Sequence, residues 1–232
     1  MTVRAYFATS SDIKFQQYAH IAAALGITIL RGMVISSALM EPQGSSNDVR
    51  QMSNLVFHPL RLSARFIATS GQLPYFVEDT MLVIDGLSNH GAGHIGLPGP
   101  DTKNWWLNLG ASGLLDLIAG LQNRSARFIC QIGVLYGAGN YSYHQAETRG
   151  FITRSVRIND NSHKMFPATN PHFFHSIFGL TPDGPSLAEL DSETFPLYDY
   201  RKACFEKFGV ELRRNAAAEA LQATTAQLEF FE

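Results

Sequence analysis

The sequence predicts an α/β protein, and three observations carry that expectation. A strand pattern at Val3 to Ala8 leads through a polar turn into a helix pattern. A later apolar, strand-like run ends in two adjacent acids, Glu78-Asp79. A further helix pattern at Ala111 to Leu121 leads into a long strand pattern at Ser125 to Tyr136. With 232 residues the chain can bury a substantial core, as one large domain or as two lobes.

In the first unit, the turn Thr9-Ser10-Ser11-Asp12 precedes a helix whose apolar stripe is Phe15, Tyr18, Ala22 and Leu25, closed by Gly26 as a C-cap. Hydroxyl residues at a helix start admit two readings. Ser10, Ser11 or Asp12 caps the helix with Lys14 in solvent. Alternatively, free N–H groups and the positive helix end hold an anion that Lys14 reaches back to neutralise.

The acid pair comes next, in Phe76-Val77-Glu78-Asp79-Thr80. Neighbouring side chains on a strand point to opposite faces, so such a pair suits a rim where the chain turns and both carboxylates reach one cation. That is metal and phosphate chemistry, although an isolated Glu-Asp pair more often solvates a surface. Trp105 and Trp106 fall at a helix start, with at least one expected to pack on the sheet. Leu114, Leu115, Ile118 and Leu121 have the spacing of a core-facing helix.

Tyr141 to Ala146 and Phe151 to Ile158 read as two strands joined through Thr148-Arg149-Gly150, and Asn159 to Asn170, with Pro167, reads as a loop. From Gly209 onward, Leu212, Ala216, Leu221 and Leu228 allow a helix.

A formal net charge of −2 with dispersed basic residues gives no electrostatic case for nucleic acid or acidic membranes as partners. Cys130 and Cys204 suggest neither a disulfide framework nor a zinc site, and both read as small buried hydrophobes. There is no signal-peptide pattern and no run of membrane-spanning length, so the chain reads as cytoplasmic.

Thr9-Ser10-Ser11-Asp12-Ile13-Lys14, Glu41-Pro42-Gln43-Gly44, Glu78-Asp79-Thr80, Leu97-Pro98-Gly99, Gly150-Phe151-Ile152 and Ala188-Glu189-Leu190 occur in the order found in inosine triphosphate pyrophosphatases. From about residue 3 to about residue 208 the chain resembles that family, best between Val77 and Leu135. The resemblance implies an elongated mixed β-sheet with flanking helices, in two lobes around a central cleft, as a homodimer. The family-like domain would be 1–208, with 209–232 a C-terminal helical extension.

It also implies hydrolysis of a nucleoside triphosphate to the monophosphate and pyrophosphate, with Mg²⁺ as cofactor. A triphosphate's charge must be neutralised before water attacks phosphorus, and a hard cation held by carboxylates does this. By resemblance, Glu41, Glu78 and Asp79 hold the metal, and Asp79 orients or deprotonates the water. Thr9, Ser10, Ser11 and Lys14 cradle the phosphates. Phe174, His175, Asp199, Tyr200 and Arg201 read the base.

The departures concentrate in base recognition. His175 and Ser176 stand where the family has Asp and Pro, Phe195 where it has lysine, and Asp199-Tyr200-Arg201 where it has Ser-His-Arg. A changed set of donors and acceptors implies a base preference altered from inosine and xanthosine. Ser10 and Ser11 replace Gly and Asn in the turn, which alters its geometry.

Ser63, flanked by Arg61 and Arg65, replaces a lysine, and either arginine can stand in for it. An extra loop, Ser88 to His94, reads as glycine-rich and solvated rather than metal-binding. Lost positive charge leaves a rival reading, a non-catalytic descendant that binds a nucleotide or a protein partner. Retention of both adjacent acids argues for the enzyme, since they repel each other without a cation.

Overall fold

The computed structural model describes residues 3–32, 53–87, 96–137, 139–170 and 172–229. Its first unit is strand β1 (Val3–Phe7), helix α1 (Asp12–Ala24) and strand β2 (Ile27–Arg31), with the two strands parallel. Ser11 is the α1 N-cap, its side chain accepting from the Lys14 N–H, and Gly26 turns the chain out of the helix at φ 68°. Helix α2 (Asn54–Ser70) then leads to the central strand β3 (Tyr75–Ile84).

Strand β3 has unequal edges. One pairs along its whole length with antiparallel β5 (Ser125–Gly137), from Tyr75 opposite Leu135 to Ile84 opposite Ala126. The other is shared: β1 runs parallel to Tyr75 and Phe76, and β4 (Leu97–Gly99) runs antiparallel to Leu82 through Ile84. Strand β6 (Asn140–Ile152) returns alongside β5, and β7 (Phe178–Gly179) completes a mixed seven-stranded sheet, ordered β2-β1-β3-β5-β6-β7 with β4 beside β3.

Alternation along the strands sorts the core into two faces. Phe76, Leu82 and Ile84 of β3 share one face with Phe128, Cys130 and Ile132 of β5. This face is covered by α1 and by the long helix α5 (Tyr200–Glu229). Phe7 stacks on Phe76 with centroids 4.5 Å apart, and Phe205 and Phe208 of α5 close on the same ring at 5.9 and 5.1 Å. Such ring pairs add about 0.5–1.5 kcal/mol each beyond their buried area. Tyr75, Val77 and Leu135 form the opposite face under Val56, Leu60 and Ile67 of α2. Close approach of that helix depends on Gly133, where a Cβ would lie 2.9 Å from Val56 and 3.0 Å from Leu60.

Several expectations are corrected. Residues 140–152 are one strand rather than two, because Gly150 is a close-approach position within β6. A Cβ there would meet the Gly179 carbonyl oxygen and the Phe178 ring, so glycine lets β7 lie against the strand. The hairpin turn lies instead between Gly137 and Asn140. The presumed loop at 159–170 contains a short helix, α4 (Asp160–Lys164).

The helix expected at Ala111 begins at Thr102 as α3 (Thr102–Leu117) and breaks at Gly110, φ 61° and ψ −170°. Leu114 and Ile118 are buried, and Trp106 packs on Phe173 and Phe174 with centroids 5.0 and 4.7 Å apart. Helix α5 runs without interruption past residue 209, and Phe208 and Leu212 lie in one core cluster. Among the described residues no helix is long and apolar enough to cross a membrane. Glu41 and the Ser88–His94 loop lie outside the described residues.

Gly150→Ala is expected to lower stability by about 1–3 kcal/mol, because an added methyl would meet fixed backbone. Chemical denaturation of the two proteins measures this, and an unchanged midpoint would refute the close-approach account.

Candidate active site

The acid pair sits in the middle of β3 rather than at its end, so the chain does not turn there. The rim that the pair requires is made by the sheet. β1 leaves the shared edge at Phe76 and β4 joins it at Leu82, so among the described residues the intervening stretch carrying Glu78, Asp79 and Thr80 has no strand beside it on that edge. Thr102 holds the far side of this gap, its hydroxyl accepting from the Leu82 N–H at 2.8 Å and donating to the Gly99 carbonyl at 2.6 Å.

Glu78 points to the α1–α5 face, where its side chain has no solvent exposure. Lys14 Nζ of α1 lies 2.9 Å from Oε2, and Arg201 Nε of α5 lies 3.6 Å from Oε1. The Thr80 hydroxyl donates to Oε1, and the Cys130 thiol approaches it at 3.7 Å. Burial alone pushes the Glu78 carboxyl upward, but Lys14 and Arg201 outweigh it and hold the group below its ordinary range. Burial likewise presses the Lys14 ammonium downward, and the charges of Glu78 and Asp79 leave it raised instead. Lys14 is thus the charged partner of Oε2.

Asp79 starts on the opposite face and bends back toward the gap, where Oδ1 accepts from the Thr80 N–H at 3.0 Å. Burial is the main reason its carboxyl is raised to about 6; Lys14 works against that shift and Glu78 adds to it. The two acids therefore differ in state. Glu78 is a firmly ionised partner of Lys14, while Asp79 exchanges protons near neutrality.

The N-terminal turn divides its groups between capping and the gap. Thr9 is buried and its Oγ1 accepts from the Ser11 N–H at 3.1 Å; Ser11 Oγ accepts from the Lys14 N–H at 3.2 Å, so Ser11 serves the helix. Asp12 pairs with Arg31 at 2.7 Å, and Ser10 is exposed. Only Lys14 of this group touches the acid pair directly.

The expected base-reading residues separate into three situations. His175, Tyr200 and Arg201 are joined: the Asn170 N–H donates to His175 Nδ1 at 3.1 Å, which leaves Nε2–H to donate to the Tyr200 oxygen at 2.8 Å. Arg201 Nη1 donates to the same oxygen at 3.1 Å. Burial first, and Arg201 second, push His175 down to about 3, so it stays neutral. Phe174 instead packs among aromatics, against Trp106 and Phe173. Asp199 caps α5, accepting from the N–H groups of Arg201 and Lys202 at 2.9 and 3.2 Å. Phe195 is buried, 6.0 Å from the His175 ring, so the family's lysine position here is apolar core.

Cys130 is buried as expected, and its thiol also meets both Glu78 and the Tyr18 hydroxyl, the latter at 3.3 Å. The sequence reading passed over Gln131, which lies opposite Asp79 and is wholly buried. The signal was there: Phe128-Ile129-Cys130-Gln131-Ile132 carries one amide in an otherwise apolar strand covered on both faces. Among the described residues no three His, Cys, Asp or Glu side chains converge as a metal cluster.

Fold and site together define an α/β protein with a split sheet edge, in which two adjacent carboxylates face a lysine from one end of the chain and an arginine from the other. The chain belongs to the Ham1 family, whose sequence model matches residues 5–210. It is 26% identical over 215 residues to the dITP/XTP pyrophosphatase of Methanopyrus kandleri, covering 93% of this chain and 99% of that one. With the inosine triphosphate pyrophosphatase of Tuber melanosporum it shares 28% identity over 206 residues, 87% of this chain and 92% of the relative. The solved Ham1 protein from Coxiella burnetii has the same fold, with a TM-score of 0.61 at 18% identity, covering 91% of this chain and 99% of that one.

Asp79→Asn tests the environment assigned to the acid. An unfolded aspartate titrates near 3.9 and the folded one near 6, so the native state binds the extra proton between those values. Native stability is therefore lost as pH rises through that window. The variant is expected to be more stable than the parent by about 1–3 kcal/mol at pH 7–8. The difference should vanish below pH ~4. Urea titrations at the two pH values check this.

Proposed function

We propose that this protein hydrolyses a nucleoside triphosphate to the monophosphate and pyrophosphate. The observation that carries the reading is the adjacency on β3 of a Glu78 carboxylate ion-paired with Lys14 and an Asp79 carboxylate held by the Thr80 N–H. The names of the relatives point to the same reaction class.

In this reading Lys14 supplies positive charge to the triphosphate tail, with Ser10 and the Thr9 turn beside it. Asp79, fixed through Oδ1 by the Thr80 N–H, orients the attacking water and accepts its proton. The water oxygen bonds to the α-phosphorus as the bond to the bridging oxygen breaks, and pyrophosphate leaves with that electron pair. Mg²⁺ suits the donor set, since the Asp79 and Glu78 carboxylates supply hard oxygens of the kind that would bind it alongside substrate phosphates. Such a cation supplies charge neutralisation on the phosphates. Glu41 would complete the set, as the resemblance implies. The reading also includes a homodimer and a cytoplasmic location.

Base preference is proposed to differ from inosine and xanthosine. The reading edge contains neutral His175, Tyr200 and Arg201, while Phe195 supplies no cation. One observation favours a non-catalytic, ligand-binding reading: Lys14 Nζ lies 2.9 Å from Glu78 Oε2, so its charge is engaged by that carboxylate.

Pyrophosphate release with Mg²⁺, across a panel of ordinary, deaminated and modified ribo- and deoxyribonucleoside triphosphates, decides between the readings. Turnover confined to a few bases is expected, and Asp79→Ala should lower it by about 10²–10⁴-fold while triphosphate binding persists. Folded wild-type protein that binds triphosphates but releases no pyrophosphate would establish the non-catalytic reading.

A further inference from the structure

Gln131 is completely buried in β5, yet among the described residues its side-chain Nε2 has no hydrogen-bond partner. A buried, unsatisfied amide is a standing penalty that an apolar residue of the same volume would remove. Its surroundings make the placement specific. Gln131 is the register partner of Asp79, so the two side chains leave one face of the sheet from neighbouring Cβ atoms, about 4.5–5.5 Å apart. Among the described residues no hydrogen bond joins them, and the hydrogen bond that Asp79 accepts is the one from the Thr80 N–H to Oδ1.

The amide is also locked from behind. The Tyr143 hydroxyl lies 2.7 Å from Gln131 Oε1 and 2.8 Å from Gln145 Oε1. A phenol has a single proton, so it donates to one amide and accepts from the other, which must be turned end for end. Turning Gln131 would put its carbonyl oxygen on the side away from Tyr143, the side of its register partner Asp79, two acceptors together. Turning Gln145 instead gives a consistent chain: Gln145 N–H to the Tyr143 oxygen, Tyr143 O–H to Gln131 Oε1, and the Gln131 N–H left for Asp79.

We propose that Gln131 positions Asp79: in the working site its amide N–H donates to the carboxylate oxygen that the Thr80 N–H does not hold, fixing the plane of the carboxylate toward the attacking water. Gln131 acts through Asp79 and is therefore a positioning residue, held by Tyr143. This inference rests on the hydrolase reading above.

Gln131→Met keeps the volume and removes the donor. With the best triphosphate of the panel, kcat should fall by about 10- to 100-fold while KM stays within a few-fold, the mark of lost orientation rather than lost binding. Tyr143→Phe should lower kcat severalfold in the parent and add nothing in the Gln131→Met background, a coupling that a purely structural role would not produce. Circular dichroism and melting temperature establish that each variant is folded.

Unchanged kcat in folded Gln131→Met, a rise in KM alone, or additive losses in the double variant would overturn the proposal and leave the hydrolase reading standing. If Gln131→Met does not fold, Tyr143→Phe decides, and an unchanged kcat there rejects the proposal. A wild-type protein without turnover on the panel would remove both.

Discussion

Lys14 and Arg201 reach Glu78 from opposite ends of the chain, and much of the architecture follows from keeping that carboxylate charged inside the sheet. A buried acid without partners would take up a proton or open the fold. Here the lysine comes from the first turn of α1 and the arginine from the first turn of α5, so both helices must pack on the same face of β3. The aromatic cluster of Phe7, Tyr18, Phe76, Phe205 and Phe208 fills the space between them and holds that geometry. Among the described residues, the shared edge of β3 then leaves the neighbouring Asp79 between the ends of β1 and β4. One acid is enclosed and compensated while the next in sequence is raised and exposed to the gap, although both begin with nearly the same intrinsic acidity.

Much of this was legible in the sequence, for local reasons. The β1–α1 unit shows in its alternation, its hydroxyl turn and Gly26, because strand, cap and helix end are each decided within a few residues. The acid pair and Lys14 stood out as charges in or beside apolar runs, and the structure brings all three together. Gly150 was misread because a glycine at a turn and a glycine at a close approach look alike until the opposing residues, Phe178 and Gly179, are known. The rim around the acids was likewise invisible, since it is made by two strands far apart in sequence sharing one edge. Asp199 illustrates the limit on reading roles from position: its carboxylate caps α5, a local task that any resemblance in the surrounding motif conceals.

The His175–Tyr200–Arg201 group is joined through one phenol oxygen, although Arg201 Nε has no hydrogen-bond partner among the described residues. The Asn170 N–H dictates the tautomer of His175, the ring then donates to Tyr200, and Arg201 donates to the same oxygen. Burial and the adjacent guanidinium keep the imidazole neutral, so the group does not switch charge in the physiological range. Its polarity is built from donors converging on one phenol oxygen, with Phe128 stacked against the Tyr200 ring at 4.6 Å.

Phe128 and Cys130 occupy consecutive same-face positions of β5, one against Tyr200 and the other against Glu78. Two residues of extended strand span about 7 Å, so the interval between the two clusters is ruled by backbone. Side chains around Tyr200 can be exchanged without altering that interval, whereas a one-residue insertion between Phe128 and Cys130 would put the two on opposite faces. The strand thus acts as a gauge, leaving chemical preference open to drift while dimension is held constant.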